Sequence, residues 1–135
     1  MRPRVRVVAG LFCRGDQVLV QQRPPGKVRG LLWEFPGGKV ESGETEAEAL
    51  VRECAEELGV RVTVGAEVHR HVHAYDDLVV ELIIRDATLG DDVVPARLDA
   101  ERLEWVSIRE LEALAFCAAD RPFVGALARG AIRGR

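Results

Sequence analysis

Three glutamates, Glu53, Glu56 and Glu57, lie close together in a segment whose apolar spacing predicts an α-helix over residues 46–58. Positions three and four apart share one face of a helix, so the three carboxylates are expected side by side near its C-terminal end. Like charges repel at these spacings, and the helix dipole favours cations at this end. A solvated acidic face would tolerate the arrangement, whereas a bound hard cation, Mg²⁺ or Mn²⁺, would explain it, because these ions prefer oxygen ligands.

The residues before this helix favour the bound cation over the solvated face. The segment 35–44 contains two adjacent glycines, Gly37 and Gly38. Without side chains, they let the backbone turn sharply and approach a ligand closely. A glycine pair can also present an uncovered carbonyl oxygen to a metal ion.

Local signals define the helix that must position the three glutamates. Thr45 and Glu48 have the spacing of a capping box, in which each side chain bonds the backbone N–H of the other residue. Gly59 is a typical C-terminal stop. Apolar residues at helical spacing form the stripe that is expected to be buried: Ala47, Leu50, Val51, Cys54 and Leu58.

Apolar patterns predict β-strands through much of the remaining chain, over residues 5–13, 17–22, 31–35, 61–74, 78–87 and 101–106. The segment 23–30 holds two prolines and two glycines and is predicted to be a loop, and Pro36-Gly37-Gly38 is expected to end the strand before it.

Two further helices are predicted near the C-terminus. Ser107 and Glu110 have the spacing of a second capping box, which predicts a helix over residues 107–114. Asp120, followed two residues later by a proline, predicts a last helix over about residues 120–129. Many strands with few helices favour an α+β fold, in which helices cover both faces of a central mixed sheet.

The segment 38–60 resembles the Nudix box, G-x5-E-x7-R-E-U-x-E-E-x-G-U, in which U is a bulky aliphatic residue. Gly38, Glu44 and Arg52 stand at the required spacing. The box then continues as Glu53-Cys54-Ala55-Glu56-Glu57-Leu58-Gly59-Val60. The single departure is Cys54 at an aliphatic position, where a buried cysteine acts as a small hydrophobic residue.

The strand pattern over residues 33–38 and Trp105 further resemble the MutT-like branch of the Nudix hydrolases. The resemblance implies one Nudix domain over residues 1–135, an α/β/α sandwich with a central mixed β-sheet and the box as loop-helix-loop. It also implies Mg²⁺-dependent hydrolysis of a (deoxy)nucleoside triphosphate to the monophosphate and pyrophosphate, with Mn²⁺ as an alternative ion. Metal ions lower the pKa of a bound water and neutralise charge on phosphoryl oxygens.

The resemblance also assigns roles within the box. It places the metal on carboxylates and on one glycine carbonyl: Glu53, Glu56, Glu57, and Gly37 or Gly38. Arg52 would pair with a box carboxylate and orient it. Glu44 would support the loop or act behind the metal ligands.

The general base has several candidates. In the MutT-like pattern a carboxylate stands six residues before the strand tryptophan, and this position is Asp99 relative to Trp105. Asp99 could also be an ordinary exposed charge. The competing candidates are carboxylates close to it or within the box: Glu101, Glu104, Glu53 and Glu56.

Asp120 resembles the position at which MutT-like relatives hold the nucleotide base, although it could simply cap the last helix. An ionised carboxylate only accepts hydrogen bonds, which suits the two donors on the N1/N2 edge of guanine or the amino group of cytosine. The substrate implied is a modified triphosphate such as 8-oxo-dGTP, with CTP or dCTP as the alternative.

Three other residues are candidates for substrate contact. Arg23 follows the second strand and could contact base or phosphate, or be an exposed loop charge. Phe35 could stack on the base or pack in the core, and Lys39 lies in the loop of the box. His69, His71 and His73 alternate along one strand; without a carboxylate or cysteine partner, they are expected to line a strand surface rather than hold a metal ion.

Composition limits the remaining possibilities. The 135 residues carry a net charge of −3, which offers no general basic field for a nucleic acid polymer. Three widely spaced cysteines, Cys13, Cys54 and Cys117, argue against a disulfide framework or a zinc site and are typical of the cytoplasm. No apolar run reaches the length of a membrane span. We expect a monomer or homodimer that acts on a small nucleotide.

A different class of function remains open at this point. The same fold could serve as a nucleotide-binding regulatory module without turnover, although such modules usually lose box glutamates and this box is intact. Among enzymatic functions, a dinucleoside polyphosphate or a nucleotide sugar is a third substrate class, and the sequence shows none of the additional recognition elements expected for a sugar.

Overall fold

The computed structural model of the chain describes residues 2–90 and 93–130. Its strands and α-helices, in chain order, are β1 (Arg4–Leu11), β2 (Cys13–Arg14), β3 (Gln17–Gln22), β4 (Trp33–Glu34), β5 (Gly37–Lys39), α1 (Glu46–Leu58), β6 (Thr63–Ala74), β7 (Val79–Thr88), β8 (Arg102–Ser107) and α2 (Arg121–Ala128). Two 3₁₀ helices lie between β8 and α2, at Ile108–Ala113 and Ala118–Asp120.

The strands form two four-stranded sheets. The first has the order β5-β1-β7-β6, in which β1 and β7 are parallel and the other pairs are antiparallel. In the second sheet β3 pairs with β2, β4 and β8, all antiparallel. Because β1 lies between β5 and β7, the glycine segment of β5 is attached directly to the centre of the first sheet, with Gly38 opposite Val8.

Apolar side chains from successive residues of β1 enter two separate cores, one on each face of the first sheet. Val8 packs with Leu50, Cys54 and other residues of α1. Ala9 packs with the opposite core, which includes Phe123 of α2. Helices therefore cover both faces of mixed strands, and the predicted α/β/α sandwich is confirmed.

Helix α1 follows its predicted bounds. The hydroxyl of Thr45 accepts a hydrogen bond from the backbone N–H of Glu48, and the carboxylate of Glu48 accepts one from the N–H of Thr45. Gly59 ends the helix in the left-handed conformation, with φ of 66°. The buried residues of the helix are Ala49, Leu50, Cys54 and Leu58. Ala47 and Val51, predicted to be buried, are only partly so.

Two predictions around the glycine segment are wrong. The strand expected over residues 31–35 is reduced to β4, because Leu31 has a φ of 64°, which an extended strand cannot accommodate. Residues 36–38 were expected only to interrupt a strand, but Gly37 and Gly38 are part of β5. A side chain at Gly37 would overlap the carbonyl of Val8, so the glycine allows two strands to approach closely.

The second capping box is also wrong. Ser107 makes no capping hydrogen bond, and its hydroxyl bonds the carboxylate of Asp16 instead, at 3.3 Å. The segment that follows is a 3₁₀ helix rather than an α-helix. The predicted N-cap at Asp120 makes no capping bond either, because its side chain points to a different partner. The remaining strand ends agree with the predictions to within about two residues. Among the described residues, no helix is long and apolar enough to span a membrane.

Candidate active site

Two of the three clustered glutamates turn inward from α1. Glu53 and Glu57 are one helical turn apart and are partly buried, whereas the side chain of Glu56 is 58% exposed. The carboxylate of Glu53 lies against the Cα of Gly38, in the space that a Cβ would fill. Gly38 is therefore required by a close approach of a charged side chain to the backbone.

Glu57 faces β3 and β4 rather than solvent. Its carboxylate accepts a hydrogen bond from the side-chain amide of Gln21 at 3.4 Å, and the same amide donates to Glu34 at 3.1 Å. Glu34 is in turn paired with Arg23 at 3.1 Å. Neither Gln21 nor Glu34 was among the candidates predicted from the sequence.

Arg52 connects the acidic residues of the box. Its guanidinium forms a two-point contact with Glu44, at 2.6 and 3.0 Å, and also donates to Glu53 and Glu56, each at 3.1 Å. A further hydrogen bond of 3.0 Å runs to the carbonyl of Lys39. This matches the predicted pairing of Arg52 with box carboxylates, and the pairing with Arg52 also lowers the pKa of Glu44.

The protein environment disfavours charge on the two inward-facing glutamates. Burial, followed by the neighbouring charge of Glu53, raises the pKa of Glu57 to about 7, and Glu34 and Asp99 add to the effect. Burial also raises the pKa of Glu53, although Arg52 opposes this. Four carboxylates thus share a region without enough positive charge to balance them.

These residues fit a divalent cation. A hard cation would offset the repulsion among the carboxylates, and the absence of a side chain at Gly38 lets the Glu53 carboxylate lie directly against the backbone of the glycine segment. Within residues 2–90 and 93–130 no three acidic, histidine or cysteine side chains are already gathered closely enough to hold a metal ion. Arg52 holds Glu53 and Glu56, and Gln21 holds Glu57, so the carboxylates would have to rearrange around an ion.

A cavity of about 370 Å³ extends from this acidic region into the core. Glu53 and Glu57 line one part of it, and Phe35 and Asp120 line another. A volume of this size accommodates a small organic molecule. The glutamates of α1 and the residue that resembles a base-recognition position are therefore walls of the same cavity.

Asp120 is 6% exposed, and its carboxyl group accepts a hydrogen bond of 3.3 Å from the backbone N–H of Phe35. Burial, followed by the charge of Glu34, raises the pKa of Asp120 to about 8. Burial therefore favours the protonated form of this carboxyl group. An ionised acceptor at this position, as expected from the sequence, takes no account of this burial, which favours the neutral carboxyl group.

The other three candidates for substrate contact also line the cavity. Phe35 is 2% exposed and packs against Phe116 and Phe123, so core packing is an established part of its role. The guanidinium of Arg23 donates hydrogen bonds to the carboxylate of Glu34 and to the carbonyl of Val28. Lys39 is an exposed residue that also lines the cavity.

The structure separates the candidates for the general base. Asp99 lines a smaller cavity together with Glu57 and Glu34. Glu101 and Glu104 line a separate cavity, where Glu104 is paired with Arg102 at 2.5 Å. Of the carboxylates outside the box that were considered, Asp99 is thus the one placed beside the acidic region.

Tyr75 lines the cavity that contains Asp120. The three histidines before it form a row along β6, with ring centroids 6.1 Å apart at each step. His69 packs against Phe123. The row therefore begins against the core at Phe123 and ends at Tyr75, whose ring is 4.5 Å from that of His73.

Comparisons with known proteins agree with this fold and site. The family model of the NUDIX domain matches residues 7–126. The 8-oxo-dGTP diphosphatase of Escherichia coli (strain K12) is 34% identical over 133 residues, which cover 93% of this chain and 98% of the relative. The CTP pyrophosphohydrolase of the same organism is 42% identical over 78 residues, 58% of each chain.

The solved structure of the DNA mismatch repair protein MutT from methicillin-resistant Staphylococcus aureus 252 superposes with a TM-score of 0.76 and 36% identity, covering 96% of this chain and 99% of that one. That protein is named as a Nudix family hydrolase. The chain described here belongs to the Nudix family, and it is a MutT-like Nudix hydrolase.

Proposed function

We propose that this enzyme hydrolyses a modified (deoxy)nucleoside triphosphate, such as 8-oxo-dGTP, to the monophosphate and pyrophosphate in a reaction that depends on Mg²⁺. The observation that carries the proposal is the shared cavity, which joins the inward-facing glutamates of α1 to buried Asp120. A nucleotide has the same two parts, a phosphate chain and a base. The E. coli relative named 8-oxo-dGTP diphosphatase aligns over nearly all of both chains.

Divalent ions are generally used by Nudix hydrolases, and Mg²⁺ is the ion we propose here, with Mn²⁺ as a substitute. It would be held by Glu53, Glu56 and Glu57 with the carbonyl of Gly37 or Gly38. When bound, the ion would supply an acidified water and neutralise charge on the phosphates. The net charge of −3 makes such local neutralisation necessary for a polyanionic substrate.

The chain's own residues then have distinct tasks. Arg52, held by Glu44, orients the carboxylates of Glu53 and Glu56 through hydrogen bonds of 3.1 Å. Asp99 lies beside Glu57 and would accept the proton of the attacking water. Arg23 and Lys39 line the cavity and supply positive charge for the substrate.

The protonation of Asp120 defines how the base would be recognised. A neutral carboxyl group donates one hydrogen bond and accepts another, unlike a carboxylate. Guanine offers an acceptor and a donor in its O6 and N1 positions, and the packed ring of Phe35 forms the adjacent wall.

The second candidate is hydrolysis of CTP or dCTP. It is supported by the same protonated carboxyl group of Asp120, because cytosine also presents an acceptor at N3 beside a donor at N4. The relative named CTP pyrophosphohydrolase has the higher identity but aligns over only 58% of each chain. For that reason we place the modified purine first.

The test is an incubation of the purified chain with Mg²⁺, Mn²⁺ or chelator and a panel of canonical and oxidised triphosphates, with chromatography of the products. We expect monophosphate and pyrophosphate, formed fastest from 8-oxo-dGTP, and none with chelator. Glu53→Gln should abolish turnover, whereas the matched control Glu110→Gln, at an exposed position, should not. Turnover of CTP alone would select the second candidate, and binding without turnover of any nucleotide would contradict both.

A further inference from the structure

Three chain segments meet at the end of the cavity that contains Asp120. They are the loop 23–32, the turn between β6 and β7, and the short 3₁₀ helix Ala118–Asp120. The contacts that join them do not involve the box or the acidic region.

Tyr75 makes the first of these contacts. It is half-buried at the end of β6, and its hydroxyl oxygen accepts a hydrogen bond of 2.9 Å from the backbone N–H of Ala119. Ala119 immediately precedes Asp120. The position of the Asp120 backbone is therefore linked to the tyrosine hydroxyl.

Arg29, in the loop 23–32, makes the second contact. Its guanidinium carbon lies 4.1 Å from the centroid of the Tyr75 ring, a cation–π arrangement. The same guanidinium forms a two-point pair with Asp77, at 3.0 and 3.2 Å. A planar guanidinium in a two-point pair is held in one orientation, which fixes it over the ring.

The backbone conformation of the loop 23–32 also indicates that surrounding contacts hold it. Arg29 and Leu31 both have left-handed conformations, with φ of 57° and 64°, although neither is glycine. Such residues are uncommon and persist where surrounding contacts hold them. Here the N–H of Leu31 bonds the carbonyl of Arg23 at 2.9 Å, which closes the loop on itself.

We propose that Arg29, Asp77 and Tyr75 form a clamp that holds the loop 23–32 and Asp120 in the arrangement that recognises the base. The three act as positioning residues. This inference rests on the proposed function, since it refines how the same cavity selects its nucleotide. None of the clamp contacts involves a glutamate of α1, so the loss of the clamp should weaken and broaden substrate binding while the rate of the chemical step is retained.

A double-mutant cycle tests the clamp against direct binding of the substrate by Arg29. Each of Arg29→Gln and Asp77→Asn should raise KM about tenfold, the scale of losing a charge-assisted pair, with kcat changed less than about twofold. The double variant should show no larger effect than either single variant, because both remove one interaction. Asp76→Asn and Arg109→Gln, at exposed positions, are the matched controls.

A second readout requires no substrate. Lys27 lies in the loop, so the rate of tryptic cleavage after Lys27 reports how firmly the loop is held. Arg29→Gln and Asp77→Asn should both accelerate this cleavage several-fold over the controls. Tyr75→Phe keeps the ring and loses only the hydroxyl, so it should leave the cleavage rate unchanged but reduce the preference for one base over another.

The outcomes separate this inference from the proposed function. If the wild-type chain turns over no nucleotide, the proposed function fails, and the cleavage rates still test the clamp. Unchanged cleavage in Asp77→Asn would overturn the clamp. A lower KM in Asp77→Asn with a higher KM in Arg29→Gln would also overturn it, because a freed arginine would then be binding the substrate directly.

Discussion

The carboxylate of Glu53 occupies the space beside the Cα of Gly38 in which any other residue would place its Cβ. Gly38 has no positive φ, so its backbone conformation is available to other residues. What requires glycine there is the glutamate. Gly37, one residue earlier, faces the backbone of β1 instead. Two adjacent glycines thus have different reasons to be glycine, one belonging to the site and one to the fold.

We predict that Gly38→Ala reduces kcat at least about 100-fold while the protein stays folded. The added methyl group would displace the end of a flexible side chain, that of Glu53, which moves easily but would then leave its position. Small displacements of catalytic groups cost on the order of 10²-fold in rate. Steady-state kinetics together with thermal unfolding would measure the two effects separately.

Gly37→Ala is the matched comparison for that variant. Its methyl group would overlap the carbonyl of Val8, which cannot move without disturbing the pairing of β1 and β5. This variant should lower the melting temperature markedly. Equal melting temperatures for the two variants, or full activity in Gly38→Ala, would contradict the assignment.

Arg52→Lys should lower both metal affinity and kcat by about 10- to 100-fold, the range typical of residues that orient metal ligands. Lysine keeps the charge but cannot make the two-point contact with Glu44 while also bonding Glu53 and Glu56. Titration with Mg²⁺ or Mn²⁺, followed by activity, gives both quantities.

The exposed residue Arg109 provides the control, since Arg109→Lys should change neither quantity. Glu44→Gln should resemble Arg52→Lys, because it removes the other half of the same contact. An Arg52→Lys variant with unchanged metal affinity would show that the charge alone is sufficient.

The bounds of the box helix were predictable because its start and stop signals are local. Thr45, Glu48 and Gly59 act on backbone groups within a few residues, and the structure reproduces both caps. The second capping box failed because Ser107 has a competing partner, Asp16, which is distant in sequence. Spacing alone cannot reveal such a partner.

Within the site, the sequence indicated which residues take part better than it indicated their burial and their neighbours. The three glutamates were expected on one shared face, yet Glu53 and Glu57 turn toward the cavity and Glu56 toward solvent. The raised pKa of Asp120 could not be predicted because it depends on burial created by distant segments. Glu34 was missed as well, although the sequence does carry a signal for it. Alternate residues of a strand face opposite sides, so a glutamate between buried Trp33 and Phe35 must face the other side of the strand from both.

Asp99→Asn should lower kcat by about 10²- to 10³-fold, as expected for a general base, with a smaller change in KM. Asp99 lines the same small cavity as Glu57, which places it close to the acidic region. Glu101→Gln and Glu104→Gln are the matched controls, because both residues line a separate cavity, and each should stay within about threefold of wild type. A large loss in Glu104→Gln with full activity in Asp99→Asn would reverse the assignment.

Asp120 should make the stability of the protein depend on pH in a defined direction. Its pKa is about 8 in the folded state, raised from an ordinary value of 3.8. Below pH 4 the group is protonated in both the folded and the unfolded state, so it adds nothing to the pH dependence of the free energy of unfolding. Between pH 4 and pH 8 the unfolded chain ionises while the folded chain keeps the proton, so the free energy of unfolding falls as pH rises, by up to about 1.4 kcal/mol per pH unit.

Asp120→Asn removes this titration while keeping the size of the side chain. The free energy of unfolding of the variant, relative to wild type, should therefore increase steadily from pH 5 to pH 8, by a total on the order of 2–4 kcal/mol. Urea unfolding at each pH measures it, with Asp76→Asn, at an exposed position, expected to follow wild type throughout. A constant difference between Asp120→Asn and wild type over this range would mean that Asp120 is ionised in the folded protein. Recognition of the base would then have to rest on a carboxylate that only accepts hydrogen bonds.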